Sequence, residues 1–129
     1  MDMVAEFLTR VRNAGLAKQE KVDVPSSKMR VGIAEVLKSS GYVRSFKVVK
    51  DGKQGMMRLY LNYKEDGAPA ITQISRVSRP GRRHYVSCEQ IPNIRSGYGM
   101  CILSTSSGIV GSKEATTKKL GGELLCTVY

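Results

Sequence analysis

A chain of 129 residues is long enough for one ordinary domain or two very small ones, and it needs no disulfide or metal to support its core. Hydrophobic residues make up 41% and charged residues 25%, but 21 Lys and Arg face only 11 Asp and Glu, a net charge of +10. That excess points to a polyanion, nucleic acid before an anionic membrane surface, because no apolar run approaches the roughly 20 residues of a spanning helix and no segment forms a basic amphipathic helix.

Val4, Phe7, Leu8 and Val11 stand at i, i+3, i+4 and i+7, which predicts a helix over 3–13 with Asp2 as its N-cap. Lys21 to Val24 alternates as a short strand stopped by Pro25. Ser26 or Ser27 then caps a second helix that carries Met29, Ile33, Val36 and Leu37 inward and ends with Gly41 at C′. Two strands follow, at 42–49 and 56–63, joined by the turn Lys50-Asp51-Gly52-Lys53. Met57, Leu59, Leu61 and Tyr63 share one face of the second strand. Glu65-Asp66-Gly67-Ala68-Pro69 is turn-rich and marks the expected boundary between units 1–66 and 67–129.

Beyond it, strands are expected at 71–78 and 83–87, separated by Arg79-Pro80-Gly81-Arg82, with a helical turn over 88–91. Gly97-Tyr98-Gly99 breaks the chain before the apolar strand Met100-Cys101-Ile102-Leu103. A small helix near 113–119 has Ser112 to cap it, Glu114 in its first turn and Lys118 and Lys119 at its end, an order that suits the helix dipole. Gly121-Gly122 stops it, and Leu124 to Tyr129 makes a last strand whose end is expected to be tied into the sheet. The fold class is therefore α/β of the α+β kind: an α-β-α-β-β unit followed by a mostly β domain with short helices.

Three constellations bear on function. Arg76, Arg79, Arg82, Arg83 and Arg95 are opposed only by Glu89 between Ile74 and Arg95. Pro80-Gly81 suits a type II turn that would display arginines, whose planar forks match phosphate oxygens and stack on bases. The alternative is an ordinary solvated hairpin. Ser104-Thr105-Ser106-Ser107-Gly108 follows an apolar strand with four consecutive hydroxyls able to meet phosphates, base edges and ribose hydroxyls, or to form a plain polar turn. Gly121-Gly122-Glu123 sets a carboxylate where it can brace loop hydroxyls or backbone N–H groups, or stand as an exposed charge at a strand start. Tyr85 and Tyr98 either stack on bases or pack.

Catalysis is disfavoured. Ser104 to Ser107 lack a Gly-x-Ser-x-Gly setting and His84 is the sole histidine. Gly108 to Lys113 has the wrong spacing for a phosphate-binding loop. Only Glu89, Glu114 and Glu123 are acidic after residue 66, thin material for metal chemistry. Cys88, Cys101 and Cys126 show no Cys-x-x-Cys spacing and form no zinc set with His84, so they read as reduced, small core hydrophobes. Met1 to Glu6 carries no secretory signal pattern. No cofactor and no metal are expected.

Taken in order, Asp2, Phe7-Leu8-Thr9-Arg10-Val11-Arg12-Asn13, Pro25-Ser26-Ser27-Lys28, Arg76-Val77-Ser78-Arg79-Pro80-Gly81, Gly97-Tyr98-Gly99, Ser104-Thr105-Ser106-Ser107-Gly108 and Gly121-Gly122-Glu123 resemble the bacterial form of the eighth small-subunit ribosomal protein family across nearly the whole chain. The resemblance implies a non-catalytic, cytoplasmic two-domain protein, monomeric when free, that binds the central domain of small-subunit ribosomal RNA early in assembly. It implies a main RNA site at Ser104, Thr105 and Ser106, supported by Gly121, Gly122 and Glu123. It also implies RNA-facing surfaces at Thr9, Arg10, Arg12 and Asn13 and at Ser26, Ser27 and Lys28. The implied protein neighbours are the fifth and twelfth small-subunit proteins, and some members repress their own operon by binding its messenger RNA. Gly111-Ser112-Lys113-Glu114 departs from the charged segment usual in that family.

Overall fold

In the computed structural model, which describes residues 2–50, 52 and 55–129, the first unit runs α1 (Met3–Leu16), β1 (Lys21–Pro25), α2 (Lys28–Ser39), β2 (Val43–Val49) and β3 (Met56–Leu61). This is the α-β-α-β-β order expected from hydrophobic period and caps. Asp2 caps α1 by accepting from the Val4 and Ala5 N–H groups at 3.1 Å each. Ser27, rather than Ser26, caps α2 by accepting from Arg30 N–H at 3.2 Å. Gly41 takes φ +81° just past that helix and donates to the Lys38 carbonyl, a conformation open to glycine without a side-chain penalty. β1, β3 and β2 form an antiparallel sheet in that order, with Met57, Leu59 and Leu61 buried on the helix side. Asp51 and Lys53 of the expected hairpin turn lie outside the described residues.

The second unit contains β4 (Ile74–Arg76), β5 (Tyr85–Val86), two 3₁₀ turns (Cys88–Gln90 and Arg95–Gly97), β6 (Met100–Thr105), β7 (Gly108–Gly111), α3 (Ser112–Thr117) and β8 (Gly122–Val128). The sheet order is β4-β8-β6-β7, and β5 also pairs with β8. The chain end is held as expected: Thr72 and Gln73 N–H groups donate to the Tyr129 carbonyl, and Tyr129 N–H donates to the Gln73 carbonyl. The two units make one α+β protein, the first α/β and the second β-rich with short helices.

Several local expectations change. The strands expected at 71–78 and 83–87 shrink to three and two residues, because the chain between them turns away through the buried Ser78. Gly81 does not take the positive φ that a type II turn requires, so Arg79 and Arg82 pair through a different tight turn. β7 was not expected at all. Ser112 does not cap α3: Gly111 holds the N-cap position, and the Ser112 hydroxyl accepts from Cys101 N–H at 3.1 Å. Lys119, at φ +56°, turns the chain after α3, ahead of the two glycines.

Packing joins the halves. Val4, Phe7, Leu8 and Val11 from α1 share one core with Ile33 and Leu37 from α2, Met57 and Leu59 from β3, and Ile74, Ile102, Cys126 and Val128 from the second sheet. A smaller core of Cys101, Leu103, Val110, Ala115 and Leu124 fills the opposite face of that sheet. Burial pushes the Cys126 thiol up to about 12 and the Cys101 thiol up as well, as inert core residues should behave. At the junction α2 presses so closely on β7 that a Cβ on Gly32 would lie 2.6 Å from the Ile109 side chain.

Polar links cross the same junction. Asp2 forms an ion pair with Arg76 at 3.1 Å, Arg76 also donates to the Leu125 carbonyl at 2.9 Å, and Arg12 donates to the Ile74 carbonyl at 2.7 Å. Leu125 is the extra residue where β8 slips register against β6, between the Ile102–Cys126 and Leu103–Leu124 pairs. The Leu125 carbonyl at this bulge accepts from Val77 N–H as well as from Arg76, which at the same time holds the start of α1.

Candidate nucleic-acid interface

The hydroxyl-rich segment is a tight hairpin rather than a loop after a strand. Ser104 and Thr105 end β6, Ser106 and Ser107 make the turn, and Gly108, at φ +100°, opens β7. Thr105 closes that turn: its hydroxyl donates to the Gly108 carbonyl at 2.9 Å and accepts from Ser107 N–H at 3.1 Å. The hydroxyls of Ser104, Ser106 and Ser107 have no side-chain hydrogen-bond partner among the described residues, and Ser106 and Ser107 are exposed. Four consecutive hydroxyls thus divide into one that builds the turn and three that are free to meet a ligand.

Register places the other predicted residues beside them. Ser104 pairs with Ile109 on one side and with Glu123 on the other, and Glu123 pairs in turn with Tyr85. Directly opposed residues of antiparallel strands share a face. Ile109, Ser104, Glu123 and Tyr85 therefore form a row across β7, β6, β8 and β5, with Tyr85 69% exposed at its end. This row is narrow because of the glycine pair. A Cβ on Gly122 would stand 2.2 Å from the Ser104 carbonyl oxygen, and one on Gly121 would stand 2.7 Å from the Val86 carbonyl oxygen. Only glycine lets the three strands approach so closely here.

Glu123 is a brace, though for a different partner than the serine turn. Its carboxylate accepts from the Ser78 hydroxyl and from Arg83 at 3.0 Å. The same Ser78 hydroxyl accepts from His84 N–H at 3.2 Å, while Leu124 N–H donates to the His84 carbonyl at 2.9 Å. Ser78 is fully buried, so both sides of the arginine hairpin are tied to β8 through one hydroxyl. Sequence reading missed Ser78, because its partner lies 45 residues away and nothing local marks it.

The five arginines of this region do not all face solvent as free charges. Arg76 is nearly buried against Asp2, Arg83 pairs with Glu123, and Arg95 lies over the Tyr129 ring 4.3 Å from its centre. Arg79 and Arg82 remain as exposed cations without an ion-pair partner among the described residues. They stand at the hairpin tip on either side of Pro80-Gly81.

The α1 and α2 residues form a separate group. Thr9 donates to the Ala5 carbonyl, and Arg10 pairs with Glu6 at 3.2 Å and donates to the Asp23 carbonyl. Arg12 is committed to Ile74 through one nitrogen, and Asn13 is exposed. Ser27 caps α2, Ser26 is buried beside it, and Lys28 is exposed. Arg30, also missed, is only 2% exposed and donates to the Pro25 carbonyl at 2.7 Å and the Met3 carbonyl at 3.3 Å, so it links the starts of both helices. Among the described residues no group of His, Cys, Asp and Glu could hold a metal, and no helix is long and apolar enough to cross a membrane.

The arrangement can recognise a polyanion by shape, with neutral hydroxyls at a hydrogen-bonded turn, an exposed aromatic ring at the end of the row and cations at the arginine hairpin tip. Comparison with known proteins agrees with the strings singled out above. The profile of the family described as ribosomal protein S8 matches residues 2–129. The small ribosomal subunit protein uS8 of Bdellovibrio bacteriovorus is 60% identical over 129 residues, covering all of both chains. Its counterpart in Geobacter metallireducens is 49% identical over 128 residues, 99% of this chain and 97% of that protein. The protein of the same name in Leuconostoc mesenteroides is 47% identical over 128 residues, with the same coverage.

Proposed function

This chain belongs to the ribosomal protein S8 family, and from that premise we propose that it is a primary binder of the central domain of small-subunit ribosomal RNA, acting in subunit assembly. It is a structural, non-catalytic ribosomal protein. The observation that carries the RNA reading is the row Ser104–Glu123–Tyr85, set beside a turn whose Ser106 and Ser107 hydroxyls are unspent. Sequence-specific RNA recognition targets irregular or unpaired elements through such hydroxyl, amide and aromatic contacts, while cations supply affinity that carries no sequence information.

In this reading residues 67–129 form the domain with the main site: Ser104, Ser106 and Ser107 touch the RNA, and Thr105, Gly108, Gly121, Gly122 and Glu123 hold the shape that presents them. Arg79 and Arg82 meet phosphates, and Tyr85 stacks on a base. Residues 1–66 form the other domain, whose Arg10, Asn13 and Lys28 meet neighbouring RNA. The fifth and twelfth small-subunit proteins are its neighbours in the cytoplasmic ribosome. The same surface would serve for binding a mimic in its own operon messenger RNA.

The test is binding to a central-domain RNA fragment beside an unrelated duplex across a salt series. A large preference for the fragment that survives moderate salt is expected. Affinities that are equal and collapse together with salt would reduce the surface to a nonspecific polyanion binder.

A further inference from the structure

At the opposite end of β6 and β8 from the serine turn lies a second surface that the reading above does not use. Three consecutive residues there, Arg95, Ser96 and Gly97, take positive φ values of 51°, 53° and 94°. Two of the three are not glycine, and such backbone is uncommon unless its surroundings hold it in place. Here they do. The Ile94 carbonyl accepts from the Gly97 and Gly99 N–H groups, and the Arg95 carbonyl accepts from Tyr98 N–H. The Tyr42 hydroxyl donates to the Tyr98 carbonyl at 3.3 Å, which ties the loop to the first unit.

What this loop displays is an aromatic ring. Tyr98 is 87% exposed, the most exposed large hydrophobic residue among those described. Beside it Arg95 stacks on the Tyr129 ring at 4.3 Å and donates to its hydroxyl at 2.9 Å, which makes a flat cationic platform. Tyr42, Lys64, Thr72, Arg95, Ser96 and Tyr98 line an open cleft of about 660 Å³ together with Tyr129, and no Asp or Glu is among its lining residues. Two cations, exposed aromatic faces and hydroxyls without an acidic side chain suit one kind of occupant. An unpaired nucleotide offers a π face for Tyr98, a phosphate for Lys64 and Arg95, and ribose hydroxyls for Thr72 and Ser96.

We infer that the Tyr98 cleft is a second RNA-contact site, which takes a single-stranded or bulged-out nucleotide by stacking and phosphate pairing. It rests on the RNA-binding reading of the chain but on different residues. Spanning the length of β6, it lies about 17 Å from the serine turn, so one protein could hold two separate RNA elements, or two parts of one, in a fixed relation.

The test uses the full chain with its main site already filled by saturating central-domain RNA fragment. A short oligouridylate containing 4-thiouridine is added, and affinity and photo-crosslinks are read. Crosslinks are expected on the peptide carrying Arg95 to Tyr98. Tyr98→Ala should weaken oligouridylate binding about 5- to 150-fold, whereas Tyr98→Phe should retain it. Lys64→Ala should weaken it at low salt and matter less at high salt. Because Tyr98 is so exposed, an unchanged thermal midpoint is the folding control. Crosslinks confined to the Tyr85 hairpin, or equal binding by Tyr98→Ala, would overturn the proposal. So would unchanged oligouridylate binding together with a lost contact to a neighbouring ribosomal protein, which would assign the cleft to protein. Failure of the chain to prefer the central-domain fragment would instead strike the main reading and is scored separately.

Discussion

Ser104 and Glu123 stand directly opposite each other across β6 and β8, yet the Glu123 carboxylate is spent on Ser78 and Arg83. The carboxylate therefore fixes the arginine hairpin against β8, and the serine turn owes its shape to Thr105 and to the glycine at position 122. In the proposed function, readers and braces are separate residues, and substitutions should tell them apart.

Ser106→Ala should leave stability within about 0.5 kcal/mol, since the residue is exposed and its hydroxyl is unpaired. Thr105→Val removes both hydrogen bonds that close the turn and should cost about 1–2 kcal/mol. Urea unfolding of the two variants, read beside affinity for the central-domain fragment, separates them. The first should lose specific affinity alone, and the second should lose both.

Ser78→Ala touches no RNA in this account. It leaves the Glu123 carboxylate with one fewer donor and the His84 N–H without its hydroxyl acceptor, at a cost of about 1–3 kcal/mol. Its RNA affinity should fall alongside Glu123→Ala, and the double variant should fall by less than the sum. Additive losses in that double-mutant cycle would mean that the two residues act separately.

Gly122→Ala should be among the most damaging single-methyl additions. The new carbon would meet the Ser104 carbonyl oxygen at 2.2 Å, backbone against backbone, with no flexible side chain to move aside. A loss of about 1–3 kcal/mol from overpacking is expected, with β6 and the serine turn displaced. Amide chemical shifts of Ser104 to Ser107 should report that displacement, and unchanged shifts would refute the steric account.

Acid should loosen the joint between the halves. Burial pushes the Asp2 carboxyl up, but the Ala5 N–H, the Arg76 guanidinium and the Val4 N–H together outweigh it and hold the carboxyl below its usual value of 3.8. The folded state is thus favoured by ionised Asp2 at all pH values above its unfolded pKa. That contribution fades as pH falls through the lower folded value. Asp2→Asn keeps an N-cap residue of equal rank but removes the charge. The variant should be less stable at neutral pH and should lose less stability as pH falls from neutral through and below the usual carboxyl value of 3.8, measured by urea midpoints.

The first unit was legible because its signals are local. Apolar residues at helical spacing, Ser27 and Gly41 at the ends of α2, and alternation in β3 all act within a few residues of each other. In the second unit the determinants are remote. β7 is four residues long and begins and ends in glycine, so neither period nor propensity marks it; it exists because β6 offers an edge and α2 covers Ile109. Arg76, Arg83 and Arg95 count as free charge in the sequence, since their partners lie well outside any local window. Counting basic residues overstated the free charge of this region, because Arg76, Arg83 and Arg95 have partners. The serine turn and the Gly-Gly-Glu motif were legible as a pair only through family resemblance, which register then set in one row.

The most direct measurement of the central claim is the ratio of affinities for the central-domain fragment and an unrelated duplex, at one moderate salt concentration, for the native chain, Ser106→Ala and Arg82→Ala. The account predicts that Ser106→Ala lowers the ratio, while Arg82→Ala weakens both RNAs alike and reduces the salt slope by about 1. If Ser106→Ala weakened both RNAs equally, or Arg82→Ala alone changed the ratio, the serine turn would not be the reader.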